Sequence, residues 1–162
     1  MIPAAFDYVR VGSVEEAIER LAAAGGDAKV LAGGHSLVPM LKLRLVRPAL
    51  LVDIGRVAEL RDIRDEGDAV AIGALATHAE VAASPLVRAK APLLAEAAAR
   101  IGDVQVRNRG TIGGSLAHAD PAADYPAAVL AAGAELVARG PAGRRRTIPA
   151  GDFFRGLFTT AL

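Results

Sequence analysis

The chain has 162 residues, 52% of them hydrophobic and 23% charged, with a net charge of +1. That suits one globular domain or two small lobes sharing a core, and it gives no general affinity for nucleic acid or anionic membranes. The absence of cysteine removes disulfides, thiol catalysis, cysteine-bound zinc and any iron–sulfur cluster held by this chain itself. A redox role would therefore need a bound organic cofactor. Charges or prolines interrupt every apolar run well short of the ~18 residues of a membrane span. The N-terminus lacks the basic and apolar regions of a signal peptide, so a cytoplasmic protein is expected.

Taken in order, Ser13 to Ala24 reads as a helix. Ser13 caps it, Glu16 completes a capping box, and Gly25-Gly26 stops it. Ala28 to Ala32 is a short apolar run of buried-strand type, followed by Gly33-Gly34. Ser36 is a candidate cap for a short helix through Leu41 or Leu43, with Pro39 in its first turn. Ala49 to Ile54 is a second buried strand, and Gly55 to Leu60 a candidate lobe boundary. Ala69 to Gly73 is a further strand, and Thr77 with Glu80 forms a second capping box.

Beyond these, Leu93 to Ile101 is an alanine-rich helix closed by Gly102, whereas Val104 to Gly113 looks irregular. Asp120-Pro121 opens a helix running to about Ala132. Glu135 to Arg139 and Arg145 to Ile148 flank Gly140-Pro141-Ala142-Gly143 and form a hairpin. The basic run Arg144-Arg145-Arg146 reads as a solvated face of that hairpin.

One chemical pattern occurs twice. Ala32-Gly33-Gly34-His35-Ser36 and Thr111-Ile112-Gly113-Gly114-Ser115 both place a double glycine before a serine. Such a turn admits positive φ and brings backbone N–H groups close to a ligand. Successive N–H groups form a nest for anions, to which a following helix adds its dipole. Phosphate is the natural guest, and two such turns from different lobes could grip a diphosphate from both sides. The alternative is a pair of ordinary turns. Neither the G-x-G-x-x-G nor the G-x-x-x-x-G-K-[ST] fingerprint is present.

Asp124 follows the second motif and could accept bonds from ribose or ribityl hydroxyls, or else sit as a carboxylate at a helix N-terminus. Asp120 is more naturally a cap. His35 and His118 each follow a Gly-Gly closely. Three histidines without H-x-x-x-H spacing support no metal site. Neither Ser36 nor Ser115 lies in G-x-S-x-G, and no hydrolytic constellation is evident.

The stretch Ala32 to Leu45 resembles the first FAD-loop signature of the flavoprotein medium subunits of the molybdenum hydroxylases, the carbon-monoxide and xanthine dehydrogenase family. Arg109 to Asp124 resembles the second signature. Phe6-Asp7-Tyr8, Ser13 to Ala17 and Phe153 to Thr160 are similar too. The resemblance implies an α+β fold of the PCMH (vanillyl-alcohol-oxidase-like) FAD-binding type, made of two α+β subdomains. The first would span residues 1–55. The second would span residues 56–162 and be incomplete, with the family's C-terminal flavoprotein domain absent.

The resemblance further implies non-covalent FAD. Val30, Leu31, Ala32, Gly33, Gly34, His35, Ser36 and Leu37 would line the first loop, and Thr111, Ile112, Gly113, Gly114 and Ser115 the second. Asp124 would meet the ribityl or ribose region and Ile101 the adenosine. No residue of this chain need be catalytic, because the cofactor carries the chemistry. The implied role is electron relay from a [2Fe–2S] small subunit beside a molybdopterin-containing large subunit to an external acceptor. Two other readings stand beside it: a stand-alone oxidase with flavin linked to His35, and a scaffold that has lost the cofactor.

Overall fold

A computed structural model describes residues 1–162. Three short parallel strands form the first sheet: β1 (Asp7–Arg10), β2 (Ala28–Leu31) and β3 (Leu50–Asp53), in the order β1-β3-β2. Arg10 and Leu31 both pair with Asp53, so the three strands end together. The first Gly-Gly turn leaves from that edge.

Helix α1 (Val14–Ala23) crosses from β1 to β2, and α2 (Leu37–Lys42) joins β2 to β3. Val14 and Ala17 on one face of α1 meet Val11, Val52, Val57 and Leu75 in a small core. Ser13 caps α1 by accepting from the Glu16 N–H at 3.1 Å. The expected box is altered, because the Glu16 carboxylate takes the Gly12 N–H at 3.0 Å, one residue further out.

The second part opens on an antiparallel hairpin, β4 (Ile63–Glu66) and β5 (Ala69–Ile72). Helices α3 (His78–Ala83), α4 (Pro85–Lys90), α5 (Pro92–Arg100), α6 (Val104–Arg109), α7 (Ile112–His118) and α8 (Asp124–Ala131) follow. A hairpin, β6 (Glu135–Arg139) with β7 (Arg145–Pro149), comes next, with Arg145 and Arg146 exposed on it. The chain closes with α9 (Ala150–Phe153) and a small ladder of β8 (Phe154–Gly156) and β9 (Thr159–Thr160). Val81, Val87, Leu94, Ala98, Ile112, Leu116, Tyr125, Val129 and Phe153 form the larger core. The Thr77–Glu80 box is complete: Glu80 N–H donates to Thr77 Oγ1 at 3.2 Å, and Thr77 N–H to Glu80 Oε2 at 2.7 Å.

Three sequence expectations need correction. Residues 104–109 are helical rather than irregular, since Asp103 Oδ1 accepts the Val106 N–H at 2.8 Å and Arg107 and Arg109 occupy the last turn. Helix α8 starts at Asp124 and not at Asp120-Pro121. Asp120 instead accepts the Ala122 N–H at 2.9 Å in a turn, just after Ala119 ends α7 with φ +48. The third correction bears on the site: Gly113 and Gly114 lie in the first turn of α7, not in a loop.

Gly113 is required there by packing. A β-carbon on it would stand 2.5 Å from Ala74 Cβ and 2.7 Å from Ala74 O. Gly113→Ala should therefore destabilise the fold by about 1–3 kcal/mol, as overpacking does. Gly151→Ala, in α9 with nothing within 4 Å of the new carbon, should be neutral or mildly stabilising. Urea unfolding of the two variants measures the contrast, and equal stabilities would contradict the packing role.

Candidate cofactor site

The first motif leaves β2 and turns through Gly34, whose φ of +79 favours glycine. The N–H groups of Gly33, Gly34, His35, Ser36 and Leu37 have no acceptor within the protein, and the first bond of the turn is Val38 N–H to Gly34 O at 2.9 Å. Five consecutive unpaired donors in one tight turn are the kind of group an anion nest is built from. Helix α2 behind it has only six residues, so its dipole is small. Ser36 makes no side-chain cap, contrary to expectation, which leaves its hydroxyl free.

The second motif is bonded differently. Ile112 N–H donates to Ala76 O at 3.0 Å and Gly113 N–H to Ala74 O at 2.9 Å. Gly114 N–H donates to Thr111 Oγ1 at 3.1 Å and Ser115 N–H to Thr111 O at 3.0 Å. The idea of two nests gripping from both sides thus does not describe this geometry. Exposed Gly114 offers an approach with no side chain, since a β-carbon there would meet only Thr111 Oγ1, at 2.8 Å.

The two motifs touch. A β-carbon at Gly33 would stand 2.1 Å from Arg109 O and 2.9 Å from Gly110 Cα. Thr77 and Thr111 form an isolated antiparallel bridge, and His78 N–H donates to Gly110 O at 3.0 Å. The His78 ring packs 5.3 Å from the ring of Tyr125, next in the chain to Asp124. Contact thus runs unbroken from Gly33 through Gly110 and His78 to the start of α8.

A groove of about 710 Å³ opens beside this contact. Leu31, Ala32, Gly33, Gly34 and Thr111 line it, whereas Val30, His35, Ser36, Leu37, Gly114, Ser115 and Asp124 stand outside its lining. Ile112 is buried in the core and Ile101 packs against it from the end of α5. His35 is exposed, with Nδ1 3.3 Å from Gly33 O. Asp124 is exposed in the first turn of α8.

Sequence reasoning missed the charged wall of the groove: Arg10, Arg56, Arg61 and Arg109 against Asp53 and Glu80. Asp53 is nearly buried and receives the Tyr8 hydroxyl, Arg10 Nε at 3.0 Å and Gly55 N–H at 2.8 Å. Burial alone would raise its pKa, but these bonds and the Arg10 charge hold it below the usual range. Four arginines against two carboxylates leave the groove with a net positive charge. No sequence motif marked Asp53, because its side-chain partners Tyr8 and Arg10 lie more than forty residues away.

Residues 4–162 match the family described as "FAD binding domain in molybdopterin dehydrogenase". The chain belongs to this family. It is 54% identical over 162 residues to the carbon monoxide dehydrogenase medium chain of Hydrogenophaga pseudoflava, covering 100% of this chain and 56% of that one. It is 44% identical to the glyceraldehyde dehydrogenase medium chain of Sulfolobus acidocaldarius, covering 99% and 56%.

Among solved structures, the Hydrogenophaga pseudoflava carbon monoxide dehydrogenase lacking the Mo-pyranopterin moiety superposes with a TM-score of 0.97. That comparison has 54% identity and covers 100% of this chain and 56% of that chain. Quinoline 2-oxidoreductase from Pseudomonas putida 86 gives 0.96 at 40% identity, with the same coverage. The chain spans a little over half the length of the relatives it matches. The expected α+β FAD-binding fold is thereby established.

Within this FAD-binding fold, His78 is the strongly perturbed histidine. Burial pushes its pKa down to about 4, the charge of His35 acts in the same direction, and Asp124 opposes both. The folded protein therefore keeps His78 neutral, while the unfolded chain binds a proton below about 6.5. Its contribution to stability is complete above 6.5 and is lost as pH falls toward 4. Thermal melting across that window should show a decline that His78→Phe reduces. Identical slopes in the two proteins would contradict the assignment.

Proposed function

We propose that this chain is the flavin-holding part of a molybdenum-hydroxylase medium subunit. In this reading it relays electrons from [2Fe–2S] clusters in a small subunit, beside a molybdopterin-containing large subunit, to an external acceptor. Bound FAD supplies a redox centre able to exchange electrons singly or in pairs. The observation that carries the reading is the run of five unpaired N–H donors at Gly33–Leu37, held beside the second motif. That arrangement fits a diphosphate, and the relatives' names and the absence of cysteine fit the division of labour. A cytoplasmic location accords with it, and no helix is long and apolar enough to cross a membrane.

In this reading the chain's own residues bind and orient. The N–H groups of Gly33, Gly34, His35, Ser36 and Leu37 neutralise the diphosphate, and Val30, Leu31 and Ala32 give the approach to the turn its apolar wall. Gly114 leaves room for close contact, and the Ser36 and Ser115 hydroxyls add donors. Thr111, Ile112 and Gly113 hold the second motif in place through their core and backbone contacts. Asp124 accepts from ribityl or ribose hydroxyls, and Ile101 offers apolar surface to the adenosine. FAD stays non-covalent, and none of these groups need act as acid, base or nucleophile.

The subdomains are proposed as residues 1–55 and 56–162. Two separate cores support the division, with Val57 and Leu75 reaching across it.

The test is Gly114→Val in a complete subunit. The branched side chain would crowd the Thr111 cap and project where the diphosphate approaches. Purified variant should fold but lack flavin absorbance and regain little on addition of FAD. Full flavin content would contradict the site.

A further inference from the structure

Two side-chain polar atoms are enclosed without any partner, His78 Nδ1 and Tyr125 Oη. Their residues are 4% and 0% exposed. Buried polar groups in folded proteins are nearly always paired, with protein or with ordered water, and leaving one unpaired is costly. The two rings are neighbours, with centroids 5.3 Å apart and planes at 57°, yet they form no direct hydrogen bond.

We propose that one buried water molecule sits beside this ring pair, hydrogen-bonded to both His78 Nδ1 and Tyr125 Oη. A neutral imidazole carries one donor and one acceptor nitrogen, and a phenol can do either. Water complements every combination, which a fixed protein group would not. Burial keeps the imidazole neutral, in agreement with its pKa near 4, so no charge has to be housed.

The position gives the water a task. His78 is the first residue of α3, and its backbone N–H holds Gly110 O. A β-carbon at Gly110 would meet His78 Nε2 at 2.5 Å, so the ring is pressed against the entry to the second motif. Tyr125 is the second residue of α8, directly after Asp124. The water therefore ties the start of α8, and with it Asp124, to the Thr77–Thr111 bridge. Only this consequence for Asp124 rests on the FAD reading.

A crystal structure of the complete flavoprotein subunit should show one ordered water within bonding distance of both atoms. A dry contact, or two unconnected waters, would overturn the proposal. In melting experiments Tyr125→Phe and His78→Phe should each lower the midpoint, and the double variant by less than the sum, because each single change leaves the other group half-paired. Strict additivity would overturn the bridge. Tyr125→Phe should also weaken FAD binding severalfold, and an unchanged dissociation constant would overturn the positioning role. If the unaltered subunit took up no FAD at all, the functional reading would fail while the water stayed decidable from the density and the melting cycle.

Discussion

The site depends on one backbone contact, Gly33 pressed against the carbonyl of Arg109 and the α-carbon of Gly110. No residue with a side chain fits at position 33, since its β-carbon would overlap the carbonyl oxygen. The contact brings together a turn leaving a parallel sheet and the end of helix α6. Beside this contact the N–H groups of residues 33–37 have no acceptor within the protein.

The two glycine pairs thus do unlike things. Gly34 supplies the positive φ that shapes the first turn. Gly113 has ordinary helical geometry and is small because Ala74 lies against it, and Gly110 is small because His78 does. Gly114 alone in the second motif faces open space beyond its own cap. Similar sequence, in one case, makes a tight turn whose N–H groups have no partner in the protein. In the other it makes a tightly docked helix start whose donors already have partners.

Much of this was legible in the sequence. Short apolar runs gave β2, β3 and β5, and Thr77 with Glu80 gave a complete capping box, because these signals are local. The motif residues carried the family resemblance that the comparisons then established. Strands β1 and β4 escaped because four polar-rich residues show no periodicity and become strands only through a partner. Helix α6 escaped because its cap, Asp103, precedes a run with no apolar stripe. The difference between the two glycine pairs could not be read either, since it is set by Ala74 and Arg109, distant in the chain. Asp53 and the arginines around it show the same limit: a buried carboxylate is recognised by its partners, which only folding assembles.

The first-turn donors are the centre of the account, and a structure of the complete subunit with FAD bound tests them most directly. The account places diphosphate oxygens within hydrogen-bond distance of the N–H groups of Gly33 to Leu37, with the Gly33–Arg109 contact unchanged. A diphosphate seated elsewhere, with those five donors turned to solvent, would contradict it.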